Sequence, residues 1–412
     1  MMLQIKPILS ALRRHKAGAL LIGLQIALTL AIVCNALFII QQRVAHLSAP
    51  SGIDEANLVV IENGWANKWN TQEADAQVRA DLMALRQLPG VQDAVASNAY
   101  PMRGGGWDQF ITLTPDQTTP TGDASVYLGD EHFLDTLGVK LVAGRNFRPD
   151  EIHPIGNREN VMPPVTIITK TLADKLFPDG SALGKSIYAM SNTPTVIVGI
   201  VDVLQTQSLS NWQMQHAYES LIWPLRAASE TGIYYILRAK PGQLAAVRKD
   251  AVRTLYAQNR MRIINNDGGV MDYAQIRQKA YDSDYGMAIL MGIVCAVLLA
   301  ITAAGIVGLT SFWVGQRRKQ IGVRRALGAT RGDILGYFLT ENLLISVGGA
   351  VVGVMLAIAM NLWLVTRFEM HRLSLFYVLA GVLLLLLLGQ GAVLAPAIRA
   401  SKVSPVEATR SV

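Results

Sequence analysis

The sequence predicts an α-helical membrane domain with four transmembrane helices, joined to a mixed α/β (α+β) domain outside the cytoplasm. Three observations carry that prediction. Only 16% of the 412 residues are charged and 51% are hydrophobic, whereas an ordinary soluble domain carries about 25% charged residues. Four long stretches hold no charge at all. Basic residues crowd into three short segments beside those stretches, while the long segment between the first two is slightly acidic.

The first stretch runs from Ala17 to Gln42, with its apolar part ending near Ile40. The others are Tyr285 to Gln316, Asn342 to Thr366 and Leu373 to Ile398. A membrane helix needs roughly 20 apolar residues, and a charge at the bilayer centre costs about 2.5–3.5 kcal/mol. A long buried helix of a soluble protein would show a polar face at helical period, and none of the four does. The predicted spans are 17–42, 285–315, 336–366 and 373–398. The first follows a basic N-terminus as a signal peptide would, but it exceeds the 7–15 apolar residues of such a segment. Asn35 and Gln41 close it without a clear cleavage site, so it is read as a retained helix.

Orientation follows from Lys and Arg. Lys6, Arg13, Arg14 and Lys16 precede span one. Arg317, Arg318, Lys319, Arg324, Arg325 and Arg331 lie between spans two and three, and Arg399, Lys402 and Arg410 follow span four. Short basic segments stay in the cytoplasm, which places 1–16, 316–335 and 399–412 inside and 43–284 outside. Residues 43–285 hold 22 Lys and Arg against 26 Asp and Glu, a net of −4; the rest holds 15 against 4, a net of +11. The overall +7 is therefore topological, and no nucleic-acid partner is expected. Cys34 and Cys295 both fall within spans, leaving the outer domain without a disulfide.

In the outer domain, Val-, Ile- and Tyr-rich runs bounded by Gly, Pro or Asp read as strands: 57–61, 93–97, 125–128, 165–169, 195–203, 221–223 and 233–237. Helical spacing marks 73–88, 132–137, 170–177, 244–258 and 271–285. The last enters span two without a breaker, a possible stiff rod. The segment Pro101 to Trp107 reads as a flexible connection, with Arg103 and Trp107 at its edges. The string Gly180 to Ser186 imitates a phosphate-binding loop but has three residues between its glycines where four are needed. It is read as a turn and strand start. No HExxH, CxxC pair or GxSxG occurs, the six histidines lack ligand spacing, and no cofactor, metal or catalytic residue is expected on this chain.

The inner segment Gln316 to Tyr337 is the most informative. Ile321, Val323, Ala326 and Leu327 set an apolar stripe among arginines, as in a short amphipathic helix. Gly328 supplies a stop, and Thr330 a cap with Asp333 at N3. By composition alone this is equally a helix on anionic membrane lipid or one that docks a cytoplasmic partner. The string resembles the signature of the MacB/FtsX family of ABC transporter permeases, close to R-x-x-E-I-G-v-R-R-A-L-G-A. Pro396 to Ala408 resembles the family's C-terminal P-A-x-R-A-x-x-x-x-P-x-x-A. Glu131 to Val139, Gly144 to Phe147, and Leu172 to Phe177 with Leu183 to Lys185 are similar to its periplasmic core domain.

The resemblance implies a non-catalytic permease of the bacterial inner membrane, with ATP and Mg on a separate ABC ATPase dimer. It implies a periplasmic domain of two lobes, porter-like at about 47–130 with 231–280 and inserted at about 131–230. It implies that residues 317–328 (Arg317, Arg318, Lys319, Gln320, Ile321, Gly322, Val323, Arg324, Arg325, Ala326, Leu327, Gly328) couple to the ATPase. ATPase closing would then move paired permeases and their outer domains, the mode called mechanotransmission, for efflux or export. A periplasmic adaptor and outer-membrane channel are conceivable further partners. An FtsX-like transmitter acting on a cell-wall enzyme is the alternative, disfavoured by the size of the outer domain. Gln320 replaces the family's Glu and Thr409 its Leu; the expected partner is a second permease copy or, as these departures suggest, a non-identical permease. Gly348, Gly349 and Gly353 permit close helix approach, either at a dimer seam or inside one subunit. Glu341 is expected near the inner interface and the loop's arginines.

Overall fold

The computed structural model describes residues 16–156, 161–189, 192–209, 216–229, 232–368 and 373–404. The outermost parts of the two predicted cytoplasmic ends, 1–15 and 405–412, lie outside the described residues. The chain divides into two compact units. One is Ala49–Asp282; the other joins the residues before it to those after it. The first helix, α1 (Lys16–Leu47), opens the membrane unit.

The outer unit starts with β1 (Leu58–Trp65), α2 (Thr71–Arg86) and β2 (Val91–Ser97). Asn70 and Glu73 form a reciprocal capping box at the start of α2, with Glu73 N donating to Asn70 Oδ1 at 2.8 Å, an arrangement that satisfies two otherwise orphan donors. Val78, Leu82 and Leu85 then face the sheet at helical spacing, all buried. There follow β3 (Asp108–Thr112), β4 (Gly122–Leu128), α3 (Phe133–Leu137), β5 (Leu141–Gly144), β6 (His153–Ile155), β7 (Val165–Thr169) and α4 (Lys170–Leu176). After these come β8 (Ser186–Ala189), β9 (Thr195–Val201), β10 (Ser220–Trp223), β11 (Leu225–Ala227) and β12 (Ile233–Ala239). The unit continues with α5 (Leu244–Gln258), β13 (Arg262–Ile263) and β14 (Val270–Asp272).

Two larger sheets organise most of these strands, and β6 and β11 form a separate two-stranded parallel sheet. In the first, β13 and β14 pair successive parts of β1, and β12 and β2 follow, all antiparallel. The units β1–α2–β2 and β12–α5–β13/β14 make this a split β-α-β-β-α-β fold. In the second, the order β9–β7–β10–β4–β3–β8 returns to β9. Thr195 and Val196 of β9 pair with β8, while Gly199–Val201 pair with β5 on the same edge. The sheet thus closes into a six-stranded barrel with β5 attached. The boundary between the lobes falls between Ser97 and Asp108, not near 130, because β3 and β4 belong to the barrel. Strands β3, β5 and β8 carry too little periodic hydrophobicity to be seen in the sequence; Asp108–Thr112 alternates weakly and leaves Phe110 exposed.

One continuous apolar core fills both lobes: Ile111, Val126, Ile168, Leu221 and Trp223 of the barrel join Ile61, Leu82, Ala94, Tyr235 and Leu255 of the first lobe. Each large side chain so buried is worth about 1.5–3 kcal/mol against exposure. A buried ion pair pins the first lobe. Arg262 Nη2 meets Asp81 Oδ1 at 2.8 Å with both side chains fully buried, and Tyr235 OH donates to Asp81 Oδ2 at 2.5 Å. Arg262 also donates to Asn63 Oδ1 at 2.7 Å. The string that imitates a phosphate-binding loop is a turn with Gly180 and Gly184 at φ +77° and +80°, and β8 begins at Ser186.

The membrane unit is completed by α6 (Tyr273–Gln316), α7 (Arg318–Ala326), α8 (Arg331–Phe368) and α9 (Leu375–Ser401). Among the described residues, α1, α6, α8 and α9 are the four helices long and apolar enough to cross a membrane. Helix α6 starts within the outer unit, where Asp272 Oδ1 accepts from Gln275 N at 2.9 Å, and runs unbroken into the membrane unit. Polar side chains of α1 bond inward, as lipid demands. Asn35 Nδ2 donates to Ala31 O and Ala357 O, Gln25 Nε2 to Ile301 O, and Thr29 Oγ1 meets Thr302 Oγ1 at 2.8 Å.

Gly349 and Gly353 of α8 lie against α1. A Cβ on Gly349 would stand 2.7 Å from Gly23 O, and one on Gly353 would stand 2.9 Å from Ala27 O. These two glycines therefore pack inside one subunit. Only Gly348 of the three faces open space.

Candidate coupling site at the inner loop

Helix α7 is short because its sequence carries nine helix-compatible residues between two stops. Leu327 forms its C-cap, and Gly328 takes φ +98°, a left-handed conformation natural to glycine. The next helix starts at once. Asp333 N donates to Thr330 Oγ1 at 3.2 Å and Thr330 N to Asp333 Oδ2 at 2.9 Å, so α8 begins at Arg331 rather than at the expected 336.

One face of α7 is seated. Ile321 joins a buried cluster with Trp313 of α6, Ile334 and Phe338 of α8, and Ala397, Ala400 and Val403 at the end of the chain's last helix. Gly322 is buried beside it. Arg317, just before the helix, forms a two-pronged pair with Glu341. Its Nη1 lies 3.0 Å from both carboxylate oxygens, and the carboxylate is 2% exposed. The Arg317 guanidinium also lies 5.8 Å from the Trp313 ring centre. The structure therefore brings Glu341 to an arginine of the loop, as expected, but buries it inside the subunit. Arg324 stacks over the Tyr337 ring at 5.0 Å, and Arg325 Nη1 donates to Ser401 O at 2.5 Å.

The other face is open. Arg318, Lys319, Gln320, Val323, Ala326 and Leu327 are exposed, Leu327 at 83%. The predicted stripe is thus split, with Ile321 turned inward and Val323, Ala326 and Leu327 outward among polar neighbours. Tyr337, Trp313 and Ser401, which hold the loop, were not singled out in the sequence. Tyr337 lay at the edge of the quoted string, and an aromatic one helix away from an arginine run was the available signal. Ser401 acts through its carbonyl, which no residue type reveals. Among the described residues, no group of three His, Cys, Asp or Glu is placed to hold a metal ion.

Comparison with known proteins matches residues 21–255 to the family described as MacB-like periplasmic core domain and residues 292–405 to that described as FtsX-like permease C-terminal. The uncharacterized ABC transporter permease YvrN of Bacillus subtilis (strain 168) is 27% identical over 293 residues, 69% of this chain and 69% of that protein. The macrolide export ATP-binding/permease protein MacB of Chromobacterium violaceum is 27% identical over 332 residues, 77% of this chain and 49% of that protein. The MacB of Neisseria gonorrhoeae is 29% identical over 324 residues, 77% of this chain and 47% of that protein. The chain spans about half the length of these two MacB relatives.

Proposed function

We propose a function from one premise: the chain belongs to the MacB/FtsX family of ABC transporter permeases, with the MacB-like periplasmic core domain and the FtsX-like C-terminal domain. Within that family it acts as the permease of a mechanotransmission transporter. A cytoplasmic ABC ATPase dimer, on a separate chain that holds ATP and Mg, docks on α7 and drives the outer domain for efflux or export. The chain is multi-pass in a bacterial inner membrane, with both termini cytoplasmic and the outer unit periplasmic. It works beside a second permease, either another copy or the non-identical one that the Gln320 departure suggests, and takes no cofactor itself.

The observation that carries the reading is the two-sided seating of α7. Ile321 and Arg317 fix the helix to three of the membrane helices and to Val403 just after α9, while Val323, Ala326 and Leu327 are left outward beside Lys319. Force applied to that face reaches α6, α8 and α9 through packed side chains, and packed interfaces transmit displacement instead of absorbing it. Reversing the charge of Arg324 or Arg325 would be a confounded test, because both make internal contacts. The informative variants are Leu327→Glu, Val323→Asp and Lys319→Glu, whose side chains are exposed. Co-purification with the partner ABC ATPase should be lost in Leu327→Glu while folding is retained. ATPase binding unaffected by all three variants would refute docking at α7 and favour a lipid-surface role for its open face.

A further inference from the structure

The segment Pro101 to Trp107, read in the sequence as a flexible connection, is held in a strained shape. Met102 is buried at φ +65°, a left-handed conformation that strains a non-glycine residue and clusters at ligand sites. It is kept there by Tyr273 OH donating to Pro101 O at 2.7 Å and by Gly104 N donating to Gln207 O at 2.9 Å. With β1, β12, the turn before β14 and the first turns of α6, this segment lines a half-open cavity of about 590 Å³. That is the size of a small-molecule site.

The cavity has an apolar floor and a charged rim. Tyr100 and Tyr234 meet edge to face at 5.2 Å, and Met102 and Ile276 continue the floor. The rim carries two cations, Arg103 and Lys279, and two carboxylates, Glu62 and Asp267. Arg103 is fixed in place: Nε donates to Tyr234 OH at 2.6 Å, Nη1 donates to Gly105 O at 2.9 Å, and the guanidinium covers the Tyr234 ring at 4.7 Å. Tyr234 OH in turn donates to Glu62 Oε1 at 3.3 Å.

We propose that this cavity binds a small zwitterionic amphiphile. Its apolar body lies on the Tyr–Met floor, its anionic group sits between Arg103 and Lys279, and its cationic group sits between Glu62 and Asp267. Charge balance selects the class. A simple anion would bring its charge against two carboxylates, a simple cation against two cations, and a neutral ligand would desolvate four charges without replacing their water. The free ends of a short peptide and the head of an ethanolamine phospholipid share the required chemistry. Ile276 and Lys279 lie on the first two turns of α6, so an occupant would rest on the helix that continues into the membrane unit. This inference does not depend on ATPase docking at α7, and its failure leaves that reading intact.

The full chain would be placed in nanodiscs of phosphatidylglycerol and titrated calorimetrically with the tripeptide Phe-Leu-Phe, its N-acetyl form and its C-terminal amide. A second arm compares dihexanoyl phosphatidylethanolamine with dihexanoyl phosphatidylglycerol. The expected result is saturable binding of the free tripeptide, the ethanolamine lipid or both, with each singly charged counterpart about tenfold weaker. Lys279→Ala and Asp267→Asn, both at exposed positions, should each weaken the zwitterion to a similar extent. Peptide binding assigns a soluble source and ethanolamine-lipid binding a membrane one. Absence of binding in both arms, equal binding of all charge forms, or unchanged affinity in both variants would overturn the proposal.

Discussion

Replacing Gly349 and Gly353 with alanine tests whether the seam between α1 and α8 is internal to the subunit. Ordinary contact for a Cβ begins at 3.4 Å, but a methyl on Gly349 would meet Gly23 O at 2.7 Å and one on Gly353 would meet Ala27 O at 2.9 Å. The obstacles are backbone atoms, which no rotamer change can move aside, so α1 must recede by about 0.5–0.7 Å. Overpacking of this kind costs about 1–3 kcal/mol per site. A single displacement relieves both clashes, so Gly349→Ala/Gly353→Ala should cost clearly less than the sum of the single changes. Gly348→Ala is the control. It meets nothing within 4 Å, and the gain in helix propensity should leave stability unchanged or raise it by up to about 1 kcal/mol. Cys34, fully buried near Gly381, and Cys295, also buried, supply the readout: thiol labelling during thermal unfolding of the full chain in mild detergent. A loss of 1–3 kcal/mol raises the open fraction by roughly one to two orders of magnitude. If Gly348→Ala proves as harmful as Gly349→Ala, or if Gly349→Ala and Gly353→Ala are both silent, the argument from backbone proximity is refuted.

Three further outcomes are expected. Glu341→Ala strands the buried Arg317 guanidinium and should destabilise the membrane unit by about 3–5 kcal/mol; the double variant Arg317→Met/Glu341→Leu should recover most of that loss in the same labelling assay. Asp81→Ala leaves Arg262 charged and unpaired in the outer unit, with a loss of similar size, read as a lowered melting temperature of the full chain. Glu151, hydrogen-bonded by the Arg145 guanidinium at 2.5 and 2.8 Å, is held below the ordinary carboxylate value of 4.5, with partial burial opposing that shift. Because its folded-state value is depressed, the stability it lends is present above pH 4.5 and lost as pH falls through the folded value. The difference in melting temperature between the parent chain and Glu151→Gln should therefore shrink on acidification, and a constant difference from pH 7 to pH 3 would contradict the linkage.

What the sequence discloses and what it hides follow from the range of the interactions involved. The spans are legible because lipid excludes charge from every position of a helix, a rule that acts residue by residue. Val165–Thr169 and Leu244–Gln258 coincide with their sequence readings because a β-rich run and a 3.6-residue period are local signals. Barrel closure is not local. It depends on Thr195 and Val196 finding Ile187 and Ser186 on an edge that Gly199–Val201 share with β5, and no periodicity encodes that sharing. The loop arginines were visible as charges and Glu341 as a neighbour, but the partners Tyr337 and Ser401, on other helices, were not. The small-xxx-small spacing of Gly349 and Gly353 announced a close approach without naming α1 as the neighbour.

The placement of the barrel bears on how the chain reaches its native state. Ser97 of β2 and Tyr234 of β12 are cross-strand partners, and the whole barrel lies between them in the chain. The pairing of the edge strand β2 with β12 must therefore close a loop of about 140 residues, at an entropic cost that grows only logarithmically with length but is met before the pairing rewards it. A barrel that folds first brings its own two ends closer and shortens that loop to about ten residues on each side. The barrel should thus acquire protection from hydrogen exchange before β2 and β12 do, and a lesion that delays it, such as a polar residue at Trp223, should hold back the split sheet without touching any residue of it.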